Sequence, residues 1–383
     1  MQTKRIYLLD CLRFVAVTLA IMSHVVLGFE LYDIDDGAGL IGKMLTRTAT
    51  PTLLILFGLM IEIAHAKRYA VDPQGAFARA FTRSMDCVFA LLLAAAFTFL
   101  LTFDWRALAN FLVLQRGYST FSVLRLYAIL MLAIPVLLYF RQRWGVWTYV
   151  GVLVLIKAYD FATDGVTCPD ILNGYGALLG IDPSWGPGAI HSLGLVVFGM
   201  ALGAFMQRRE RGAGIFVGAL IVLSAVVVFA AVRREGGEAF MEGMANLTRY
   251  RGHNDPEYFA FGILAFLGVI AFSWLLSLVR TPVVMAMVGK VGAHTLTYFV
   301  LGNFVIFVFQ RFVHAKGAGE GVALTLTIFA MTIAGVFVWI RVQNHHGFTK
   351  AQFLARRYVL SLFNMRIDPP KRLAAKEAVS EAV

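Results

Sequence analysis

The sequence predicts an all-α polytopic membrane protein, about ten transmembrane helices around a central tunnel, with both termini cytoplasmic. Three observations predict it. Of the 383 residues, 59% are hydrophobic and 15% charged, and mean hydropathy is +0.73. Such values fit a chain whose polar surface is confined to loops. Apolar stretches of spanning length recur near 7–29, 44–65, 84–103, 120–140, 145–162, 188–207, 213–233, 257–279, 291–313 and 320–341. Basic residues also collect at alternate ends of these stretches, the pattern of cytoplasmic loops.

The charges assign the sides. Lys4 and Arg5 precede the first stretch, and Lys67, Arg68, Arg79 and Arg83 follow the second. Arg141 and Arg143, then Arg208, Arg209 and Arg211, then Arg280 and Lys290 follow at even-numbered exits, and the tail is basic from Arg341. The opposite loops hold Glu30, Asp33, Asp35, Asp36, Asp164, Asp170 and Asp182. Arg233, Arg234, Arg249 and Arg251 are the exception, on the acidic side. The net charge of +11 is thus spent on orientation in a lipid bilayer, and nucleic acid is set aside as a partner. Cys11, Cys87 and Cys168 are scattered, with no CxxC and no metal-ligand spacing, so neither a metal nor a disulfide framework is expected. Asp10 and Arg13 interrupt any signal-peptide core, which leaves the first helix as a signal anchor.

Residues 1–345 read as one transmembrane domain and 346–383 as a cytoplasmic tail. Its FTKAQFLARRYVLSLF is amphipathic and basic, suited to the inner membrane surface, and its end is expected to be disordered. Two outer loops, 163–187 and 234–256, are longer than a helix hairpin needs. Trp185, Tyr175 and Tyr250 in them offer faces that stack on sugar rings or anchor at the membrane interface.

The first stretch, YLLDCLRFVAVTLAIMSHVVLGF, carries Asp10, Arg13 and His24. Ionisable groups inside a span cost about 2.5–3.5 kcal/mol each, so they face a polar interior and mark function. Eleven steps from Arg13 to His24 amount to about 1100°, within roughly 20° of whole turns, which places both on one face. Asp10, three residues before Arg13, joins that face and is expected to fix the guanidinium. Orientation then sorts the embedded polar groups by depth. An outer layer holds His24, Arg47, Arg125 and His191, with Tyr127 beside Arg125. An inner layer holds Asp10, Arg13, Asp86 and His294, with Arg79 and Arg83 below it and Tyr298 and Asn303 above.

Two layers imply two reagents from opposite sides. Arg79 and Arg83, four apart, share a helical surface and suit phosphates, or serve only as topological anchors. His24 is the candidate general base, since an imidazole takes a proton near neutral pH without a large shift. Its plainer role would be a packing hydrogen bond. His191 is the rival base, although it follows GPGAI like a helix start. Lys157 and Asp160 read as a mutual pair. No HExxH, GxSxG or Walker-type loop occurs.

LDCLRFVAVTLAIMSHV resembles the opening helix of the acyltransferase-3 membrane acyltransferases, marked by an Arg, ten residues and a His. PTLLILFGLMIEIAHAKR is similar to that family's second helix, with Phe57-Gly58 in place of its Ser-Gly. VGKVGAHTLTYFVLGNF resembles its late segment, with Asn303 where a His is common. NFLVLQRGYSTFSVLRLYAILMLAIPVLL looks closest to the branch that succinylates osmoregulated periplasmic glucans. The resemblance implies a multi-pass enzyme of the bacterial cytoplasmic (inner) membrane. It would move an acyl group, acetyl or succinyl, from cytoplasmic acyl-CoA to a hydroxyl of an extracytoplasmic carbohydrate, with no permanently bound cofactor. His24, Arg13 and Asp10 would form the catalytic set, and Arg79, Arg83, Tyr298 and Asn303 the donor site. Arg47, Arg125, Tyr127 and His191 would hold the acceptor or the oxyanion. The competing class is a transporter or flippase for an anionic solute, which would use the same cationic interior as a pathway. The oligomeric state is not readable from the residues.

Overall fold

A computed structural model describes residues 7–29, 37–112, 121–169, 172–182, 186–246, 249–313 and 318–361. Lys4, Arg5, Glu30, Asp33, Asp35, Asp36, Asp170, Trp185, the 113–120 part of the glucan-branch stretch and the tail beyond 361 lie outside the described residues. Those described are helical almost throughout, with no strand among them. In chain order the helices are α1 (Tyr7–Gly28), α2 (Gly37–Arg47), α3 (Ala49–Met60), a π-helical turn (Ile61–Ala66) and α4 (Lys67–Val71). They continue with α5 (Pro73–Thr102), α6 (Trp105–Leu112), α7 (Ser122–Trp144), α8 (Trp147–Thr163), α9 (Asn173–Leu179) and α10 (Ala189–Arg208). The rest are α11 (Arg211–Glu235), α12 (Gly237–Ala245), α13 (Pro256–Leu278), α14 (Pro282–Ala293), α15 (Thr295–Phe312), α16 (Ala318–Gln343) and α17 (His346–Ser361).

Nine helices among the described residues are long and apolar enough to cross a membrane. The protein is an all-α polytopic membrane protein. Against the ten stretches read from hydropathy, 145–162 forms α8, a helix of 17 residues that carries Lys157 and Asp160 near its end. The second span is longer than the apolar run, a continuous helix over Leu40–Val71. The third begins at Pro73, not near 84. Asp72 caps it, its Oδ1 accepting from the Gly75 amide at 2.8 Å, with Pro73 preset for the first turn. Arg79 and Arg83 therefore ride on the same helix as Asp86. The 291–313 stretch splits at His294 into α14 and α15.

The core lies where α1 meets its neighbours. Leu9, Leu12, Val15 and Ala16 pack into one apolar cluster with α3, α7, α8, α10 and α13. Val17, Ala20, Ile21 and Val25 pack into a second with α5, α15 and α16. α1 is therefore covered on both sides, as expected of the helix that carries the embedded polar groups. α3 and α10 touch backbone to backbone. A Cβ on Gly58 would come within 1.9 Å of the Val196 carbonyl oxygen, and one on Gly199 within 2.0 Å of that of Ile55. Phe89, Val154, Val226, Phe272 and Leu326 face outward, an apolar surface of the kind lipid covers. α17 is not a free surface helix: the Arg356 guanidinium donates to Asp86 on α5 at 2.7 and 2.9 Å.

Candidate active site on the first helix

α1 and α15 run side by side, with Ile21 seated against Gly302. The next residue, Asn303, is 1% exposed. Its Nδ2 donates to the Phe299 carbonyl at 2.8 Å, one turn back on its own helix. That bond turns Oδ1 outward, where it lies 2.5 Å from His24 Nδ1. A flipped amide would set its oxygen against a carbonyl, so the network assigns the orientation. Oδ1 can only accept, and His24 Nδ1 must carry the proton. The ring's lone pair is then on Nε2, the tautomer a general base requires. Phe299 packs edge-on against the ring, centroids 5.8 Å apart.

A small cavity of about 30 Å³ adjoins this ring, lined among others by Ser23, His24, Thr46, Thr50, Arg251 and Phe299. It has room for little more than a water. Where the sequence predicts a central tunnel, the space beside His24 is this small cavity. Arg47, 5% exposed, reaches one of its lining residues. Its Nη1 donates to Ser23 Oγ at 2.7 Å and its Nε to the Ala245 carbonyl at 3.1 Å. Arg251 enters from the loop before α13, its Nη2 donating to Thr50 Oγ1 at 3.3 Å. Among the described residues, no carboxylate lies within ion-pair distance of either guanidinium.

The loop that carries Arg251 is pinned at both ends. Glu235 receives Arg249 Nη2 at 2.6 Å and the Tyr250 hydroxyl. Burial, and then the Glu235 carboxylate, push that hydroxyl up to about 12, so it stays protonated and donates. At the other end, Asn254 Oδ1 accepts from the Gly188 amide at 2.7 Å.

The remaining predicted site residues stand elsewhere. Arg13 pairs with Asp10 at 3.6 Å, eleven residues and about 16 Å along α1 from His24. Between them Tyr298 is fully buried, stacked on Phe14 at 5.9 Å with its hydroxyl 3.2 Å from Thr18 Oγ1. Asn303, read as a donor ligand, is the partner of His24. Tyr127 spends its hydroxyl on the Leu53 carbonyl at 2.7 Å. Arg125 borders a different cavity, about 270 Å³ and almost wholly apolar, with Leu91, Ala128 and Tyr175. His191 Nε2 lies 2.6 Å from Asp160, which also receives Lys157 at 2.7 Å. Depth alone grouped Arg125 and His191 with His24, and depth says nothing of which side of the bundle a residue faces. Arg79 lies 4.0 Å from Asp72 and Arg83 3.4 Å from Asp86. Both act electrostatically on His65, as does Arg68, so a basic group gathers where α4 meets α5.

Two features were not foreseen. Arg251 belonged to the one loop that broke the charge rule, and that violation was the available signal. Glu62, in the π-helical turn, is fully buried between Arg141 and Arg208, each at 3.6 Å, and Arg141 also bonds Glu210. Its signal was a carboxylate inside an apolar stretch. Among the described residues, no three His, Cys, Asp or Glu side chains gather as a metal site.

No curated protein matches the chain. The model of the family described as OpgC protein matches residues 52–346, from α3 onward, so α1 with Arg13 and His24 precedes the matched region. A glucan-modifying acyltransferase is what that family points to. The match spans well over half of the sequence, and the chain belongs to the OpgC protein family.

Proposed function

We propose that the protein transfers an acyl group, acetyl or succinyl, from cytoplasmic acyl-CoA to a hydroxyl of an extracytoplasmic glycan, across the bacterial cytoplasmic membrane. The observation that carries this reading is the His24–Asn303 bond at 2.5 Å. It holds the proton on Nδ1 and leaves Nε2 basic, on the wall of an embedded cavity. The acceptor hydroxyl gives its proton to Nε2 as its oxygen attacks the thioester carbonyl. The C–O ester bond forms, the C–S bond breaks, and the imidazolium returns its proton to the leaving thiolate. Asn303 keeps the ring in the productive tautomer, the part a carboxylate or amide plays in histidine triads.

The basic group of His65, Arg68, Arg79 and Arg83 suits the donor's phosphates. Arg13, held by Asp10, would steady the donor on its way to His24. Both termini on the cytoplasmic side require an even number of crossings, and α8 supports a tenth. One end of α8 packs Tyr149 against Phe216 and under Arg141, while its other end bonds His191 at the start of α10. It thus runs between the two ends of a helix that itself spans. The likeness of α1 to acyltransferase-3 enzymes, outside the matched region, adds to the reading.

The test is reconstitution in proteoliposomes with radiolabelled acyl-CoA inside and a glucan outside. Label should appear on the glucan with release of CoA, and His24→Gln should lower transfer at least about 100-fold. Equal transfer by a folded His24→Gln protein, or movement of a solute without thioester cleavage, would overturn it.

A further inference from the structure

α17 begins where the family match ends, at residue 346, and it reaches back to α5. Arg356 and Leu360, four apart, share one of its faces. Leu360 is buried, while Leu354 and Tyr358 on the opposite face are exposed. The Arg356 guanidinium donates to both oxygens of Asp86, at 2.7 and 2.9 Å. Asp86 stands three residues after Arg83 on α5, a spacing at which a carboxylate and an arginine on one helix usually pair. Arg83 nevertheless comes only to 3.4 Å from Asp86, and its side chain is 65% exposed. The closer bonds belong to Arg356, so Arg83 is held beside Asp86 without being spent on it. Arg79 is held as loosely, 4.0 Å from Asp72.

We propose that Arg356 is a positioning residue for the donor: by neutralising Asp86, it leaves Arg83 to the phosphates of acyl-CoA. This rests on the acyl-transfer reading above, in which His65, Arg68, Arg79 and Arg83 meet those phosphates. Among the described residues, Arg83 and Arg356 are the cations within ion-pair reach of Asp86. Without Arg356, the carboxylate turns to Arg83 and draws it away from the donor. Its negative charge, no longer shared with a second guanidinium, also repels an arriving phosphate. Both effects weaken binding of the donor, and neither alters the His24–Asn303 bond. A helix that lies past the matched region thereby tunes a site built on α4 and α5.

The experiment compares wild-type protein with Arg356→Gln, Asp86→Asn and the double variant. Calorimetry measures binding of CoA, and steady-state assays follow whichever of acetyl-CoA and succinyl-CoA the wild-type protein cleaves. Arg356→Gln should raise Kd for CoA and KM for the donor about fivefold or more, with kcat within about twofold of wild type. Asp86→Asn should bind CoA at least as tightly as wild type, and in the double variant it should restore binding to within about twofold. Raising the salt concentration should narrow the difference between Arg356→Gln and wild type. CoA binding unchanged by Arg356→Gln overturns the proposal. So does equal weakening by Arg356→Gln and Asp86→Asn, which would show that the bridge only fastens α17. If Arg356→Gln does not fold, Asp86→Asn decides alone: weaker binding of CoA overturns the proposal, and equal or tighter binding supports it. Failure of the wild-type protein to bind CoA at all removes the reading on which the proposal depends.

Discussion

Replacing Asn303 by Ala tests the chemistry at its narrowest point. The substitution removes the acceptor 2.5 Å from His24 Nδ1 at a position 1% exposed, where water does not readily take its place. An N–H left without a partner in such surroundings is unfavourable by about 1–3 kcal/mol. The ring recovers part of that by turning or by moving its proton to Nε2, and either change removes the base. Taken as a barrier, the same 1–3 kcal/mol is a loss of about 5- to 150-fold in kcat. KM for the donor should change little, because the arginines proposed to bind its phosphates are untouched. The assay is steady-state release of CoA in the presence of glucan, with a thermal melt of each purified protein to show that it is folded. Asn303→Asp, which keeps an oxygen acceptor, should retain more of the rate than Asn303→Ala. A folded Asn303→Ala enzyme with wild-type kcat would refute the assignment of the proton to Nδ1. A rise in KM with kcat unchanged would instead return Asn303 to donor binding.

Gly199→Ala should destabilise the protein by about 1–3 kcal/mol or more, read as a lower melting temperature in detergent. The added methyl would stand 2.0 Å from the Ile55 carbonyl and has only backbone to push. Tyr127→Phe removes the donor to the Leu53 carbonyl and should lower stability by about 1 kcal/mol while leaving KM for the glucan unchanged. A raised KM would show instead that this hydroxyl touches the acceptor.

Much of the architecture is legible in the residues because lipid restricts the alternatives. A chain with no water to satisfy its backbone must form helices or a closed barrel, and runs of about 20 apolar residues select helices and reveal where. The same physics singles out Asp10, Arg13, His24 and Arg47, since a polar group within a span needs a reason. The α1 pattern placed Asp10 beside Arg13 for a local cause, the three-residue spacing of one helix, and the pair is present at 3.6 Å. Helix limits were less legible. The third stretch reads from near 84, where the apolar run begins, yet Asp72 starts that helix ahead of Arg79 and Arg83.

Taken alone, the sequence determined that the chain crosses a membrane many times and that an imidazole on its first helix is embedded. Both follow from composition and from periodicity within one segment. Only the tertiary structure decided what stands beside that imidazole. Asn303 comes from 279 positions away, and Arg251 from a loop 201 positions beyond its partner Thr50, while Arg125 borders another cavity and His191 bonds Asp160. Depth along a helix follows from counting residues, but the angle at which one helix meets another is set by side-chain packing between segments remote in sequence, as where Gly58 and Gly199 let α3 and α10 close.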